Sequence, residues 1–120
     1  MRLESRKLLF DMQQAAELIA RFTEGRTFGD YTENPMLRSA VERQFEILGE
    51  ALGKLTKLDP DLTEGISDRR RIIAFRNVLI HGYDAILDEV VWGVVETQIP
   101  SLRATLDELL SADGPDDPVE

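Results

Sequence analysis

The stretch AFRNVLIHGYD, residues 74–84, sets Arg76, Asn77, His81 and Tyr83 into a run that is otherwise mostly apolar, and His81 is the only histidine in the chain. An imidazole ionises near neutral pH and can take or give a proton, whereas a guanidinium stays charged and offers a planar fork to an oxyanion. The pair suits a phosphodiester whose neighbour already carries the nucleophile. RNA is such a substrate. Its 2′-hydroxyl attacks the adjacent phosphorus, so a cleaving site needs no catalytic serine or cysteine and no metal. It needs proton transfer and stabilisation of the charge on a pentacoordinate phosphate. In that chemistry His81 is the acid or base, Arg76 the phosphate stabiliser, and Asn77 a group that orients either one. One histidine cannot easily act as base and acid on opposite faces of phosphorus at the same instant. A two-fold dimer supplies two, so the single His81 favours a site shared between copies.

Each residue also has a purely structural reading. His81 near a helix C-terminus is favoured by the helix dipole when charged, Arg76 is a ready ion-pair partner, Asn77 a cap, and Tyr83 ordinary loop packing. Their joint placement on one apolar helix and the turn that leaves it argues for a common purpose.

The elements that hold this set read as helices. Leu8, Met12, Ala15, Ile19 and Phe22 recur at three and four, so residues 3–23 form an amphipathic helix that TEGRTFGDYTEN then breaks. Asn34 and Pro35 are an N-cap and first-turn pair opening a second helix with a stripe of Leu37, Val41, Phe45, Leu48, Leu52 and Leu55, ending near Lys57. LDPDLTEG reads as a loop. Ser67 is placed to cap a third helix running to His81, with Gly82 as its stop. A fourth starts at about Asp88, and Pro100 should kink or restart it. The third helix has apolar side chains on nearly every side and is expected to be buried all round, which so small a bundle achieves only against a twin. On an ideal helix Asn77 and His81 share a face, while Arg76 and His81 lie about 140° apart. Those two meet if Arg76 reaches round, if the last turn deforms at Gly82, or if a second copy brings them together.

Composition bounds the rest. A chain of 120 residues with 42% hydrophobic content makes one domain, residues 1–111, followed by an acidic tail, 112–120, expected to be flexible. The absence of cysteine removes disulfides, thiolate metal sites and thiol nucleophiles. No apolar run reaches membrane-spanning length, and the N-terminus lacks the apolar segment of a signal peptide, so a soluble, cytoplasmic protein with no membrane partner is expected. The net charge of -9 opposes nonspecific nucleic-acid binding. Any RNA contact must therefore use a local basic patch, and Arg69, Arg70 and Arg71 form the only dense one, able to guide a phosphate backbone or simply to begin a solvated helix.

These residues carry a resemblance. RNVLIHGY is similar to the R-x4-H-x-Y signature of HEPN-domain proteins, and specifically of the HepT-like toxins paired with MNT-type nucleotidyltransferase antitoxins. NPMLRSAVERQFEILGEALGKL resembles that family's second helix, and DEVVWGVVETQIPSL its closing helix. The likeness covers roughly residues 5–110. It implies an all-α, up-and-down bundle of four to five helices that dimerises with its motifs facing a common cleft and cuts RNA without metal or cofactor. It further implies that Arg76 and His81 are catalytic, that Asn77 assists, and that the antitoxin attaches AMP to Tyr83. The rival reading is a noncatalytic helical module that binds the nucleotidyltransferase or a nucleotide.

Other candidates are weaker. Glu42, Glu46, Glu50 and Lys54 form an i+4 row, most simply a solvent face with one Glu–Lys pair. Gly49 and Gly53 either let another helix approach or merely weaken their own. Asp84 and Asp88 suggest helix caps before a magnesium site, and Trp92 belongs to the core.

Overall fold

Asn34 and Pro35 begin the helix on which the site is built. In the computed structural model, which describes residues 1–81 and 88–113, helix α1 spans Leu3–Thr23, α2 Phe28–Glu33, α3 Pro35–Leu58, α4 Pro60–Thr63, α5 Arg69–Ile80 and α6 Asp88–Asp113. The molecule is an all-α bundle, with no strand among the described residues. The Asn34 side chain accepts from the Leu37 N–H at 3.0 Å, and Pro35 occupies the first turn, where its missing N–H leaves nothing unsatisfied. From there the predicted stripe buries Val41, Phe45, Leu48, Leu52 and Leu55 completely or nearly so. Facing them, α1 buries Leu9, Met12, Ala16 and Ile19. Helix α6 closes on α1 from another side, held at its surface by Arg103, whose Nε and Nη2 reach Glu17 Oε1 at 3.1 and 2.9 Å.

Helices α2 and α4 fall where the sequence reads as loops. Both are made by side-chain caps rather than by apolar periodicity. Thr27 accepts from the Asp30 N–H at 3.0 Å while its own N–H donates to Asp30 Oδ2 at 2.9 Å, a reciprocal capping box. The cap of α4 is Asp59, whose other carboxylate oxygen takes the Ser5 hydroxyl of α1 at 3.1 Å. The yield of α2 is one buried residue, Tyr31, whose ring meets Trp92 of α6 at 5.4 Å. Trp92 is in the core as expected.

The start of α5 is corrected. Ser67 does not cap α5. Asp68 holds that position in the left-handed region at φ 64°, without a side-chain cap bond, directly after Ile66 has been drawn into the core. Within a single copy α5 is covered on one side only. It packs on α3, through Ile72, Phe75 and Leu79, with Phe75 edge-on to Phe45 at 5.1 Å. Val78 and Ile80 stay 39% and 47% exposed. Helix α6 runs unbroken through Pro100. Its ring deprives the Glu96 carbonyl of a helical donor, and both residues are solvent-exposed, where water can replace it. Gly82, the expected stop of α5, lies outside the described residues, as does most of the expected acidic tail.

Candidate active site

The position of Arg76 is set by what α3 lacks. A Cβ added to Gly49 would lie 2.3 Å from Arg76 Cβ and 3.4 Å from the Ile72 carbonyl oxygen. No real side chain tolerates the first distance, so only glycine lets α5 settle this close to α3. Gly53, one turn further on, faces open space. The two glycines look equivalent in sequence, and only Gly49 is a point of close approach.

Held there, Arg76 is half-buried and turns its guanidinium along α5. Its Nη1 donates to Asn77 Oδ1 at 3.0 Å, while its Nε is buried with no hydrogen-bond partner. An unpaired, buried guanidinium N–H is costly. Asn77 belongs to the other side of the helix. Arg70, Ala74, Asn77 and His81 follow at spacings of four, three and four, and all four are exposed, so they form one outward face. His81 caps the C-terminus of α5, its backbone N–H donating to the Asn77 carbonyl at 3.1 Å. Arg76 reaches round to Asn77, which stands one turn before His81 on the face that His81 occupies.

Of the basic run, Arg70 and Arg71 are exposed and Arg69 half-buried, at the start of α5. Arg70 shares the outward face with His81 at the opposite end, about 16 Å away along the axis. Among the described residues none of the three is ion-paired with a carboxylate, and no group of three or more His, Cys, Asp or Glu side chains comes together as a metal-holding cluster. Tyr83 and Asp84 lie outside the described residues. Asp88 opens α6.

The acidic row on α3 is not one solvent face. Lys54 and Glu50 pair at 3.6 Å as expected. Glu42, however, is half-buried, and burial together with the nearby Asp88 carboxylate holds its carboxyl above the ordinary glutamate value, against a smaller opposing pull from Arg38. Arg38 is occupied instead with the last carbonyls of α2, donating to Thr32 O and Tyr31 O. Helix α2, unseen in the sequence, is what covers this part of the row.

Residues 12–109 match the family model described as Ribonuclease HepT-like. The chain belongs to that family. A relative from Thermococcus cleftensis named "Probable ribonuclease HepT" is 32% identical over 105 residues, covering 84% of this chain and 91% of its own. Two further relatives carry the name "Putative RNase": one from Methanocaldococcus jannaschii, 29% identical with 79% and 86% of the two chains covered, and one from Caldanaerobacter subterraneus subsp. tengcongensis, 29% identical with 88% and 93% covered. No solved structure matches this HepT-like chain. Membership supports ribonuclease activity, and the matched region takes in α5 with its arginine, asparagine and histidine. No helix among the described residues of the HepT-like chain is long and apolar enough to cross a membrane.

Proposed function

We propose that this chain is a metal-independent endoribonuclease that acts in the cytoplasm as the toxin of a toxin–antitoxin pair. His81 takes the proton of a ribose 2′-hydroxyl, whose oxygen attacks the neighbouring phosphorus. Arg76 bears on the non-bridging oxygens as negative charge gathers there, and Asn77 fixes the guanidinium plane. The 5′-oxygen departs with a proton from a second His81 across a two-fold dimer, leaving a 2′,3′-cyclic phosphate and a 5′-hydroxyl. Since RNA brings its own nucleophile and these groups bring acid, base and positive charge, the reaction closes without a metal.

The observation that carries this reading is the Arg76–Asn77 hydrogen bond, 3.0 Å long, which turns the one cation of the motif toward the face bearing the one histidine. The antitoxin in this reading is an MNT-type nucleotidyltransferase. It transfers AMP from ATP to the Tyr83 hydroxyl, releasing pyrophosphate, and thereby sets negative charge and bulk two residues from His81.

The test is RNA digestion by the purified protein in the presence of a chelator, with the product ends identified. Wild type should leave 2′,3′-cyclic phosphates. His81→Ala should lose about 10²- to 10⁴-fold in rate, the usual yield of acid–base catalysis, and Arg76→Ala about 10²- to 10³-fold, by analogy with removal of an oxyanion donor. Both variants should keep a helical circular dichroism spectrum. Folded variants that cut as fast as wild type would place the activity elsewhere.

A further inference from the structure

Between α3 and α5 runs a cleft of about 360 Å³ that starts at Arg76 and Asn77 and ends at Lys57. Gly49 on α3 stands nine residues before that helix ends, and Arg76 on α5 seven residues after its helix begins. The two are thus at similar distances from the α4 turn, as in an antiparallel pair, and the cleft leads from the motif back toward the beginning of α5. Its floor on the α3 side is bare at Gly53, where an added Cβ would touch nothing within 4 Å, whereas Gly49 is covered by the stem of Arg76. From Gly49 to Lys57 the floor is about 12 Å long.

The charge of this cleft runs against that of the molecule. Of its ionisable lining, Glu50 is paired with Lys54 at 3.6 Å. Arg76 and Lys57 remain as positive charges. Lys57 is exposed and, among the described residues, has no carboxylate partner. In a protein with net charge -9, a polyanion is repelled except where such local cations offset the field.

We propose that this cleft is an RNA subsite, in which Lys57 binds a backbone phosphate flanking the one held by Arg76 and the bare Gly53 floor makes room for the nucleotide between them. The proposal rests on the ribonuclease reading above and adds to it a direction: the strand leaves the cut site along α3 toward the α4 turn. A lysine in the last turn of α3 also complements that helix's C-terminal carbonyls, so the test separates a phosphate contact from a helix-end role.

The probe is a single-stranded 2′-O-methyl oligonucleotide, which keeps every phosphate but cannot be cut, titrated against the full chain over a range of salt concentrations. Lys57→Ala should weaken binding about fivefold at about 0.1 M salt and reduce the slope of log K against log salt by about 0.7, the signature of one lost contact on a single strand. Lys7→Ala, the same charge change on α1, should alter neither. Gly53→Met should weaken binding while leaving charge unchanged and melting temperature at or above that of wild type, because methionine favours the helix over glycine. If Lys57→Ala keeps the wild-type slope, or Gly53→Met binds as well as wild type, the subsite is wrong even where wild type cuts RNA. If wild type neither binds this probe nor cuts RNA, the ribonuclease reading and the subsite fall together.

Discussion

Gly49 and Arg76 meet across the α3–α5 contact so closely that a methyl group on the first would stand 2.3 Å from the Cβ and 2.7 Å from the Cγ of the second. The contact is what sets the depth of Arg76 and hence where its guanidinium can reach. Gly49→Ala must push α5 outward or force Arg76 into another rotamer.

The expected result for Gly49→Ala is a stability loss of about 1–3 kcal/mol from overpacking, partly offset by the better helix propensity of alanine. The loss of RNA cleavage should exceed that expected from the small unfolded fraction. Gly53→Ala is the contrast, since its added Cβ meets nothing, and it should stabilise the protein by about 0.5–1 kcal/mol. Thermal melts of both variants, with cleavage assayed well below the melting temperature, check the pair. Equal behaviour at the two positions would show that the close approach at Gly49 does not position Arg76.

The long helices were legible because burial imposes a period. The stripes of α1 and α3 are the apolar faces found in the core, and the Asn34–Pro35 start is a local signal independent of tertiary structure. What escaped the sequence depends on contacts between elements. Helices α2 and α4 carry too few apolar residues to show a period, and their caps become visible only once the chain turns. Gly49 and Gly53 sit alike on one stripe, and only the nearness of Arg76 tells them apart. The Arg76–Asn77 bond joins neighbours whose side chains normally diverge on a helix, so spacing gave no sign of it. Glu42 reads as solvent-facing because Tyr31 and Asp88, which come to lie near it, are 11 and 46 residues away in sequence.

Glu42 should make stability pH-dependent in a direction unusual for a carboxylate. Its folded pKa is raised, first by burial and then by Asp88, with Arg38 pulling the other way and Glu46 adding to the rise. Tyr31, also near, is a phenol whose own pKa is raised by burial, so it stays neutral. A raised folded pKa means that this group's contribution is fully present below the unfolded value and is lost as pH rises through the folded one. Glu42→Gln, which remains neutral, should therefore melt higher than wild type at pH 7, and the gap should close as pH falls below the ordinary glutamate range. A gap that persists undiminished at pH 4 would assign the effect to something other than ionisation.

Tyr83 should carry the modification if the antitoxin works covalently. Co-expression with a nucleotidyltransferase encoded beside this chain should add about 329 Da per AMP unit to the peptide containing Tyr83, and the modified protein should lose RNA cleavage. Tyr83→Phe should still cut RNA and should resist neutralisation. An unmodified Tyr83 peptide recovered from fully neutralised protein would show that inhibition comes from binding alone.

The last prediction concerns how many histidines one cut requires. The outward side of α5 and the first turn of α6 leave Val78, Ile80 and Val90 at 39%, 47% and 49% exposure, on either side of His81 in the sequence. Apolar side chains of this size beside a polar motif suit contact with a second copy, and a two-fold axis there would bring two His81 side chains to one phosphate, one as base and one as acid. Light scattering should then report a dimer, and Val78→Glu should shift it to monomer with loss of cleavage. Subunit exchange tests the sharing itself. In an equal mixture of wild type and His81→Ala, random pairing leaves about a quarter of the dimers with two histidines. If each cut needs both, activity falls to about a quarter of that of the undiluted wild type. If each protomer works alone, about half survives. The second outcome, with exchange verified by mass spectrometry, would leave His81 acting singly and the opposite proton to be carried by water or another group.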